Sequence, residues 1–529
     1  MSVATILCAI VFSVFSTSVL TYITMATPIG PWMGPTLALF GVFFARFFRS
    51  FTSEKIIYSA VAGSLGGIMA TAFGFSFPTL YFLNKPFFQE WISHPLAFIA
   101  DVAVIACAAG MLGLWVASLT ARTLLQEQQL AFPVGVLVYK ITSALDSKSS
   151  LRQLIGGFTT TVSYCLLQGT QWFQTRFIPA TVTIAPSCKI GWISLPSVQC
   201  TMGLMPMLWA IGFIAGSMIT VPLLVGTLSK IFIVDFLNKW YFPTLSLSDF
   251  LFAFCSGMVV IGAVSSLLTM PKQLLEFIKK TVKKDVAVAT DITVLYAAVP
   301  VFALVSAMFW WFKFSFLSQL YITVFAVICA YQIAVFAGRV GLAPLGRFAT
   351  FVMVPGMLIF GLDPLQITIL ATFVEACGGV ATDALFGKKA GILAGLDQAK
   401  VTRYQLLGIV VCSLTVGVVM WILVTHFQLG SETLFAERAQ GRALLVNAAS
   451  FNYYVLACGA VYGLVLKKLG FNPMLVLGGL LMPLSLTLGL VLGGLSSSFI
   501  GKEVDYEPLC SGMFAANSLC MIFQALFFK

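Results

Sequence analysis

The sequence predicts an all-α polytopic integral membrane protein with about sixteen transmembrane helices, some of them broken or re-entrant. The composition is the first observation: 59% of the 529 residues are hydrophobic, 9% are charged, and the mean hydropathy is +0.99. The second observation is that the apolar residues form runs of about 20 residues, the length that crosses a hydrocarbon core. A soluble globular protein is excluded because such a chain has no polar surface to offer water.

The N-terminal membrane half, residues 1–271, is predicted to contain eight spans. The first is a retained span, because no basic segment or cleavage site precedes Pro28. The run 201–235 is too long for one span and is interrupted by Gly216 and Pro222, so we expect two short helices joined by a tight turn. The other spans of this half are predicted at 4–25, 31–48, 57–83, 95–119, 154–174 and 249–271.

A basic cytoplasmic linker, residues 272–287, separates the halves and carries five lysines. The positive-inside rule then places both termini in the cytoplasm and the loops near Glu90, Glu432 and Asp505 outside, for a multi-pass protein of the cytoplasmic (inner) membrane. The C-terminal half, residues 288–529, has predicted spans at 288–311, 315–337, 347–361, 365–386, 404–427, 445–466, 474–495 and 508–527. Two halves of equal span number indicate internal duplication.

Two carboxylates lie inside the predicted span 365–386. Glu375 and Asp383 are eight residues apart, so they lie within about 80° of each other around the helix, with Gly379 on the same face. An acid inside a membrane is costly and indicates transport or proton transfer. Burial favours the protonated form of a carboxyl group, so such a group gains and loses a proton in the physiological range. We predict that both residues couple protons or bind substrate.

For two of the acids, Asp383 and Glu54, a structural role is an alternative to a role in coupling. Asp383 could instead be a solvated anchor near the cytoplasmic end of its span, paired with Lys388 or Lys389. Glu54 is a coupling candidate at the start of an early helix, where an acid also stabilises the helix dipole. Lys389 is retained as a candidate for contact with substrate.

The segment 127–140 is a candidate re-entrant turn. Glu127 precedes a sequence in which Pro133 and Gly135 would shape the turn, and the alternative is a wetted cytoplasmic loop. A second irregular segment runs from Gly338 to Arg347 and contains Pro344. Arg339 there would offer a guanidinium group to a substrate carboxylate, or would belong to a cytoplasmic turn that follows the positive-inside rule.

Metal and nucleic-acid chemistry have little support. The twelve cysteines are scattered without a CxxC pair and there are two histidines, so we predict no resident metal and no cofactor. Cys188 and Cys200 share a loop predicted to be outside, where a disulfide and two free thiols are the alternatives. The net charge of +11 comes from short clusters between apolar runs rather than one stripe, so nucleic acid is not a predicted partner.

Four blocks of sequence resemble the oligopeptide transporter family. SEKIIYSAVAGSLGGIMATAFGFSFPTLYFL at 53–83 is similar to the family's early acidic, Ala/Gly-rich helix. GLWVASLTARTLLQEQQLAFPVGVLVYKI at 113–141 resembles its acidic-Gln segment followed by a Leu-x-Phe-Pro-x-Gly turn. TDALFGKKAGILAGLDQAKVTRYQLLG at 382–408 looks like its Gly-Asp to Leu-Leu-Gly signature, and NPMLVLGGLLMPLSLTLGLVLGGL at 472–495 resembles its late Pro-Leu-Ser span.

The departures from the family pattern are also informative. Ala390 stands where the family has the threonine of Lys-Thr-Gly, and Gly387 replaces an acid expected just before the lysine. The Asn-Pro-Gly-Pro-Phe signature of the eukaryotic peptide branch is missing, so the resemblance is to the prokaryotic branch.

The resemblance implies secondary active uptake of small peptides or peptide-like metal chelates, driven by protons. The partners would be that small-molecule substrate and the lipid bilayer, and homo-oligomerisation stays open. The alternative is a channel or facilitator for a small polar solute without proton coupling. An enzyme is not predicted, because a membrane-embedded hydrolase would need a nucleophile with a base or a metal motif, and the sequence has no HExxH and no GxSxG.

Overall fold

Helices dominate the computed structural model of this chain. The structure describes residues 3–26, 30–47, 52–143, 148–168, 181–185, 189–190, 193–194, 200–251, 253–255, 257–258, 288–430, 434, 436–447, 452–471, 473, 476, 479–480, 484–499, 506, 508–510, 512–513, 516–517 and 520. The predicted basic linker 272–287 lies outside these ranges.

The described residues of the first part of the chain are mostly helical, with two π-helical turns among the helices. The π-helical turns are Arg122–Glu127 and Lys230–Val234, directly after α6 and α10. The helices are α1 (Val3–Ala26), α2 (Met33–Phe47), α3 (Ser53–Ser76), α4 (Thr79–Leu83), α5 (Lys85–Ile92), α6 (Pro95–Ala121), α7 (Pro133–Ser143), α8 (Lys148–Leu167), α9 (Pro206–Ala215), α10 (Ser217–Ser229) and α11 (Asp235–Tyr241).

The later part of the chain continues with longer helices. They are α12 (Val288–Trp311), α13 (Phe316–Val340), α14 (Leu345–Phe360), α15 (Pro364–Leu393), α16 (Gln398–His426), α17 (Glu437–Asn447), α18 (Tyr453–Lys468) and α19 (Leu484–Phe499). Of these, α15 has a well-defined start: the Asp363 side chain accepts from the Gln366 backbone N–H at 2.7 Å in a capping box, with Pro364 in the first turn.

Short strands are the exception to the helical architecture. β1 (Thr181–Ala185) pairs antiparallel with β4 (Cys200–Gly203), and β2 (Lys189–Ile190) pairs antiparallel with β3 (Ile193–Ser194). Cys188 lies outside the described residues, so the disulfide with Cys200 stays a prediction.

Seven helical segments within the described ranges are long and apolar enough to cross a membrane. They are Val3–Met25, Ser53–Leu83, Pro95–Glu127, Thr220–Tyr241, Phe316–Val340, Pro364–Leu393 and Gln398–His426. Shorter apolar helices occur at Met33–Phe43, Tyr296–Trp311, Leu345–Phe360 and Thr487–Phe499. The prediction of an all-α polytopic membrane protein is confirmed, and the number of about sixteen spans stays a prediction.

The long apolar run 201–235 breaks at one of its two predicted points. Gly216 has φ +68° and separates α9 from α10, a backbone conformation that glycine adopts without a steric penalty. Pro222 lies inside α10 and does not end it.

The predicted span 445–466 begins later than the hydropathy indicates. α18 begins at Tyr453, where the Asn452 side chain accepts a hydrogen bond from the backbone N–H of Tyr454 at 3.0 Å. Residues 445–447, at the start of the predicted span, belong to a separate short helix, α17. The sequence prediction was wrong here because apolar residues of two helices were read as one run.

The chain forms two compact units. One comprises Met1–Val162, Thr290–Ala449 and Tyr506–Lys529, and the other comprises Ser163–Ala289 and Ser450–Asp505. In the first unit α3 and α15 are the most enclosed helices, since their apolar segments are fully buried, and α3 packs on α1, α15 and α16. In the second unit α9 and α10 pack against α19. Two duplicated halves in sequence order stay a prediction.

Candidate functional site

The candidate site lies along the contact between α3 and α15. Gly379 of α15 faces α3 so closely that a Cβ there would lie 2.9 Å from Cγ1 of Ile68. α15 has 30 residues and is therefore about 45 Å long, longer than a hydrocarbon core of about 30 Å. The enclosure of both helices puts polar side chains on their facing sides out of contact with water.

Glu375 lies at the centre of a buried ion cluster. Its Oε1 is 2.6 Å from Nη2 of Arg442, and its exposed fraction is 0%. The hydroxyl of Ser76, at the end of α3, donates to Oε2 of Glu375 and accepts from Nη1 of Arg442. The serine uses its hydroxyl as donor and acceptor at once, so it joins the acid and the base. The carboxylate is charge-paired inside the fold, as a buried ion requires.

The helix α17 carries Arg442 into this cluster. Before α17, Ala436 has φ +51° and its backbone N–H donates to the carbonyl of Met25 at 2.8 Å, which ties the start of the helix to the end of α1. The side chain of Arg442 is 4% exposed, and its Nη2 also approaches the carbonyl of Gly346 at 3.4 Å.

Gly346 leaves the space in which these charged groups meet. A Cβ at this position would lie 2.9 Å from Oε1 of Glu375, 3.3 Å from Nη2 of Arg442 and 3.8 Å from Nη1 of Arg438. Arg438 precedes Arg442 by one helical turn, and its guanidinium carbon lies 3.9 Å from the centre of the Phe75 ring, a cation–π contact. Two guanidinium groups and one carboxylate therefore surround the same point.

Asp383 lies two turns further along α15 in a different environment. Its Oδ2 accepts a hydrogen bond of 2.6 Å from the hydroxyl of Ser64 on α3, and it is 2% exposed. No lysine or arginine among the described residues forms an ion pair with it. Lys388 instead donates to the hydroxyl of Thr402 at 2.8 Å. Asp383 is thus a buried acid held by a neutral donor.

The segment predicted to be re-entrant packs beside the same helix. Gly135 of α7 contacts α15 so closely that a Cβ would lie 2.4 Å from the carbonyl oxygen of Phe386. The turn before α7 is held by a hydrogen bond of 2.7 Å from the backbone N–H of Phe132 to the carbonyl of Gly338, and Phe132 has φ +46°. Pro133 is the first residue of α7 and is buried.

Lys389 joins this turn to α15, because its Nζ donates to the carbonyl of Leu130 at 3.4 Å. Glu127 is exposed and lies 3.7 Å from Nε of Arg122. Glu54 is exposed in the first turn of α3. Both acids are exposed, whereas Glu375 and Asp383 are buried, and their predicted roles in coupling stay predictions.

The irregular segment from Gly338 to Arg347 is shorter than the sequence indicates. Gly338 and Arg339 belong to α13, which ends at Val340, and α14 begins at Leu345 with Pro344 as the residue before it. Arg339 is half-buried. Its role as a substrate ligand stays a prediction.

Four residues of the site are absent from the sequence-based predictions: Ser64, Ser76, Arg438 and Arg442. The two serines resemble any other small residue of an Ala/Gly-rich helix. The two arginines gave one usable signal, because they fall in a loop that the predicted topology places outside, against the positive-inside rule. Within the described part of the chain, no three His, Cys, Asp or Glu side chains cluster as metal ligands.

Comparison with known families identifies the chain. The family model described as OPT oligopeptide transporter protein matches residues 247–527, more than half of the 529 residues. The chain belongs to the oligopeptide transporter family. It is therefore a multi-pass membrane transporter of oligopeptide type with a small-molecule substrate, and Glu375, Asp383, Arg438 and Arg442 all lie within the matched region. A comparison with curated proteins found no match.

Proposed function

We propose that this transporter takes up small peptides, or peptide-like metal chelates, across the cytoplasmic membrane together with protons. One observation carries the proposal: the oligopeptide transporter has two acids buried along one helix, and the Asp383 carboxylate is held by the Ser64 hydroxyl alone among the described residues. A buried carboxylate without a cation is costly to keep charged. A proton bound there removes that cost.

The two acids have different roles in the proposed cycle. Asp383 is the proton carrier, because no lysine or arginine in the described part of the chain forms an ion pair with it. Glu375 is neutralised by Arg442 and belongs to the substrate-binding part of the site. Eight residues of helix separate them, about 12 Å along the axis. The free energy of protonating Asp383 would differ between the outward-open and the inward-open state. Protonation would therefore change the relative stability of the two states.

Uptake into proteoliposomes tests the proposal. The purified protein is reconstituted with an inward proton gradient, and the probes are an equimolar tripeptide mixture and the nickel(II) complex of glycylglycylhistidine. We expect at least one probe to accumulate above its external concentration and to lose that accumulation when a protonophore collapses the gradient. Equilibration without accumulation would support a facilitator instead. Transport of neither probe would contradict the proposed substrate class.

A further inference from the structure

Arg442 has binding capacity that its partners in the protein leave unused. Its two terminal nitrogens are engaged by Glu375, Ser76 and Gly346, yet the buried Nε has no hydrogen-bond partner among the described residues. A guanidinium group has five N–H donors in a fixed planar fork. An unsatisfied donor of a charged group is expensive at 4% side-chain exposure, so a further acceptor would bind there favourably.

The surroundings of Arg442 favour an anion. Arg438, one turn earlier, is exposed, while Arg442 is buried, so the two residues lead from the surface of the unit into the cluster. The guanidinium groups of Arg438 and Arg442 both lie within 4 Å of the position that a Cβ of Gly346 would occupy, beside the Glu375 carboxylate. The missing Cβ of Gly346 lets the Glu375 carboxylate and the Arg442 guanidinium approach this backbone closely, since a Cβ would lie 2.9 Å from Oε1 of Glu375. The position that Glu375 occupies beside Arg442 is therefore the one a substrate carboxylate would take. A carboxylate has the planar geometry that an arginine fork binds through two parallel hydrogen bonds.

We propose that Arg442 binds the carboxylate of the transported substrate in place of Glu375, and that Arg438 attracts that carboxylate to the site. This inference rests on the proposed proton-coupled uptake and narrows its substrate class to molecules that carry a free carboxylate. The site would recognise the C-terminal carboxylate of a peptide and a free carboxylate of a metal chelate in the same way. It thereby assigns to α17 the role that the sequence analysis gave to Arg339.

Charge balance connects this exchange to the proton. A substrate carboxylate that entered without a proton would leave two anions beside one buried guanidinium. The symported proton, which Asp383 carries in the proposed cycle, would pass to Glu375 as Glu375 leaves Arg442, and Ser76 remains beside both groups as donor and acceptor. The cluster then keeps its total charge. One proton would accompany each substrate carboxylate.

Binding to purified full-length protein tests the inference with matched probe pairs. There are two pairs. The first is the tripeptide mixture with free C-terminal carboxylates and the same mixture as C-terminal amides. The second is the nickel(II) complex of glycylglycylhistidine and the nickel(II) complex of its C-terminal amide. The readout is the probe concentration that gives half of the maximal thermal shift. We expect the wild type to prefer the free acid about 10-fold, because the amide lacks the charged acceptor.

Variants separate a binding role from a structural one. Glu375→Gln removes the internal competitor and should raise affinity for the free acid about 10-fold, whereas Arg442→Gln should abolish the preference for acid over amide. Arg442→Lys keeps the charge without the fork and should weaken the preference, which gives a result even if the glutamine variants do not fold. Glu90→Gln, an exposed acid on α5 outside the candidate site, is the control and should behave as the wild type.

The outcomes distinguish this inference from the proposed function. Equal binding of acids and amides by the wild type would overturn the carboxylate site, and so would an acid preference that survives Arg442→Gln or is undiminished in Arg442→Lys. Proton-driven uptake would remain in place in either case. Failure of both probe pairs to bind or to be transported would instead contradict the proposed function itself.

Discussion

Asp383 on α15 and Ser64 on α3 form a buried hydrogen bond of 2.6 Å between two helices that are 319 residues apart in sequence. The neighbouring pair on the same two helices, Glu375 and Ser76, has the same chemistry but adds Arg442. Among the described residues, Glu375 is therefore balanced by a cation, whereas Asp383 is held by a hydroxyl. Our proposal that the first acid belongs to substrate binding and the second to proton transfer rests on this difference.

Replacement of the acid without a cation should uncouple transport from the proton gradient. In Asp383→Asn the amide cannot bind or release a proton, yet it keeps an oxygen that accepts from Ser64. We expect proton-driven accumulation in proteoliposomes to fall at least about 10-fold, while exchange of labelled for unlabelled substrate continues without a gradient. The measurement is uptake and counterflow of the same probe.

The control for this variant is Asp235→Asn. Asp235 is also buried, at 4% exposure, but its carboxylate lies 3.6 Å from Nζ of Lys239 outside the candidate site. It should retain gradient-driven accumulation. Accumulation by Asp383→Asn at the wild-type level would remove Asp383 from the coupling mechanism.

Removal of the hydroxyl from Ser64 should change the pH profile of uptake. The hydroxyl donates to Oδ2 of Asp383, and a hydrogen bond to a charged group is usually worth about 1.5–3 kcal/mol. Its loss changes the free energy of the carboxylate on which proton binding depends in the proposed cycle. The pH at which uptake by Ser64→Ala falls to half should therefore differ from the wild-type value by about 1 unit or more.

The matched variant for this experiment is Ser59→Ala on the same helix. Ser59 is also buried, but its hydroxyl donates to the backbone carbonyl of Thr5 at 3.4 Å. Its pH profile should follow the wild type. An unchanged profile in Ser64→Ala, or an equal shift in both variants, would contradict proton binding at Asp383.

Part of this site was predictable from local sequence patterns. The spacing of Glu375 and Asp383 placed both acids on one helix face, and the structure shows that face against α3. Gly216 was predictable as a helix break because its conformational preference is a local property. The membrane class followed from composition alone.

The partners of these acids were not predictable in the same way. Arg442 is 67 residues from Glu375 in sequence, and Ser76 is 299 residues from it, so only tertiary packing brings them together. Helical periodicity states which face a residue occupies and does not state what packs on that face. The later start of α18 had a local signal, the capping Asn452, which hydropathy ignores.

Replacement of only one residue of the Glu375–Arg442 ion pair should destabilise the protein. Removal of one partner leaves the other charge buried and uncompensated, which typically destabilises a protein by about 3–5 kcal/mol. We expect Arg442→Gln to lower the thermal melting temperature of the purified protein strongly. The double variant Arg442→Gln, Glu375→Gln should recover most of the loss, because both charges are gone.

A double-mutant cycle measures this coupling. The melting temperatures of wild type, both single variants and the double variant give the interaction energy of the pair. Additive losses in the double variant would show that the two side chains do not depend on each other. The cycle also separates folding defects from the binding defects expected for the same residues.

The contact between α7 and α15 should tolerate no side chain at position 135. A Cβ on Gly135 would lie 2.4 Å from the backbone oxygen of Phe386, and a backbone atom cannot rotate away as a side chain can. Gly135→Ala should therefore displace the turn before α7, weaken the contact of Lys389 with Leu130, and reduce uptake together with thermal stability.

Gly156→Ala on α8 is the control, since a Cβ there would meet nothing within 4 Å. That variant should be as stable as the wild type or slightly more so, because alanine favours helix over glycine by about 1 kcal/mol. Equal behaviour of the two variants in melting and uptake measurements would show that the close approach of α7 to α15 is unimportant for transport.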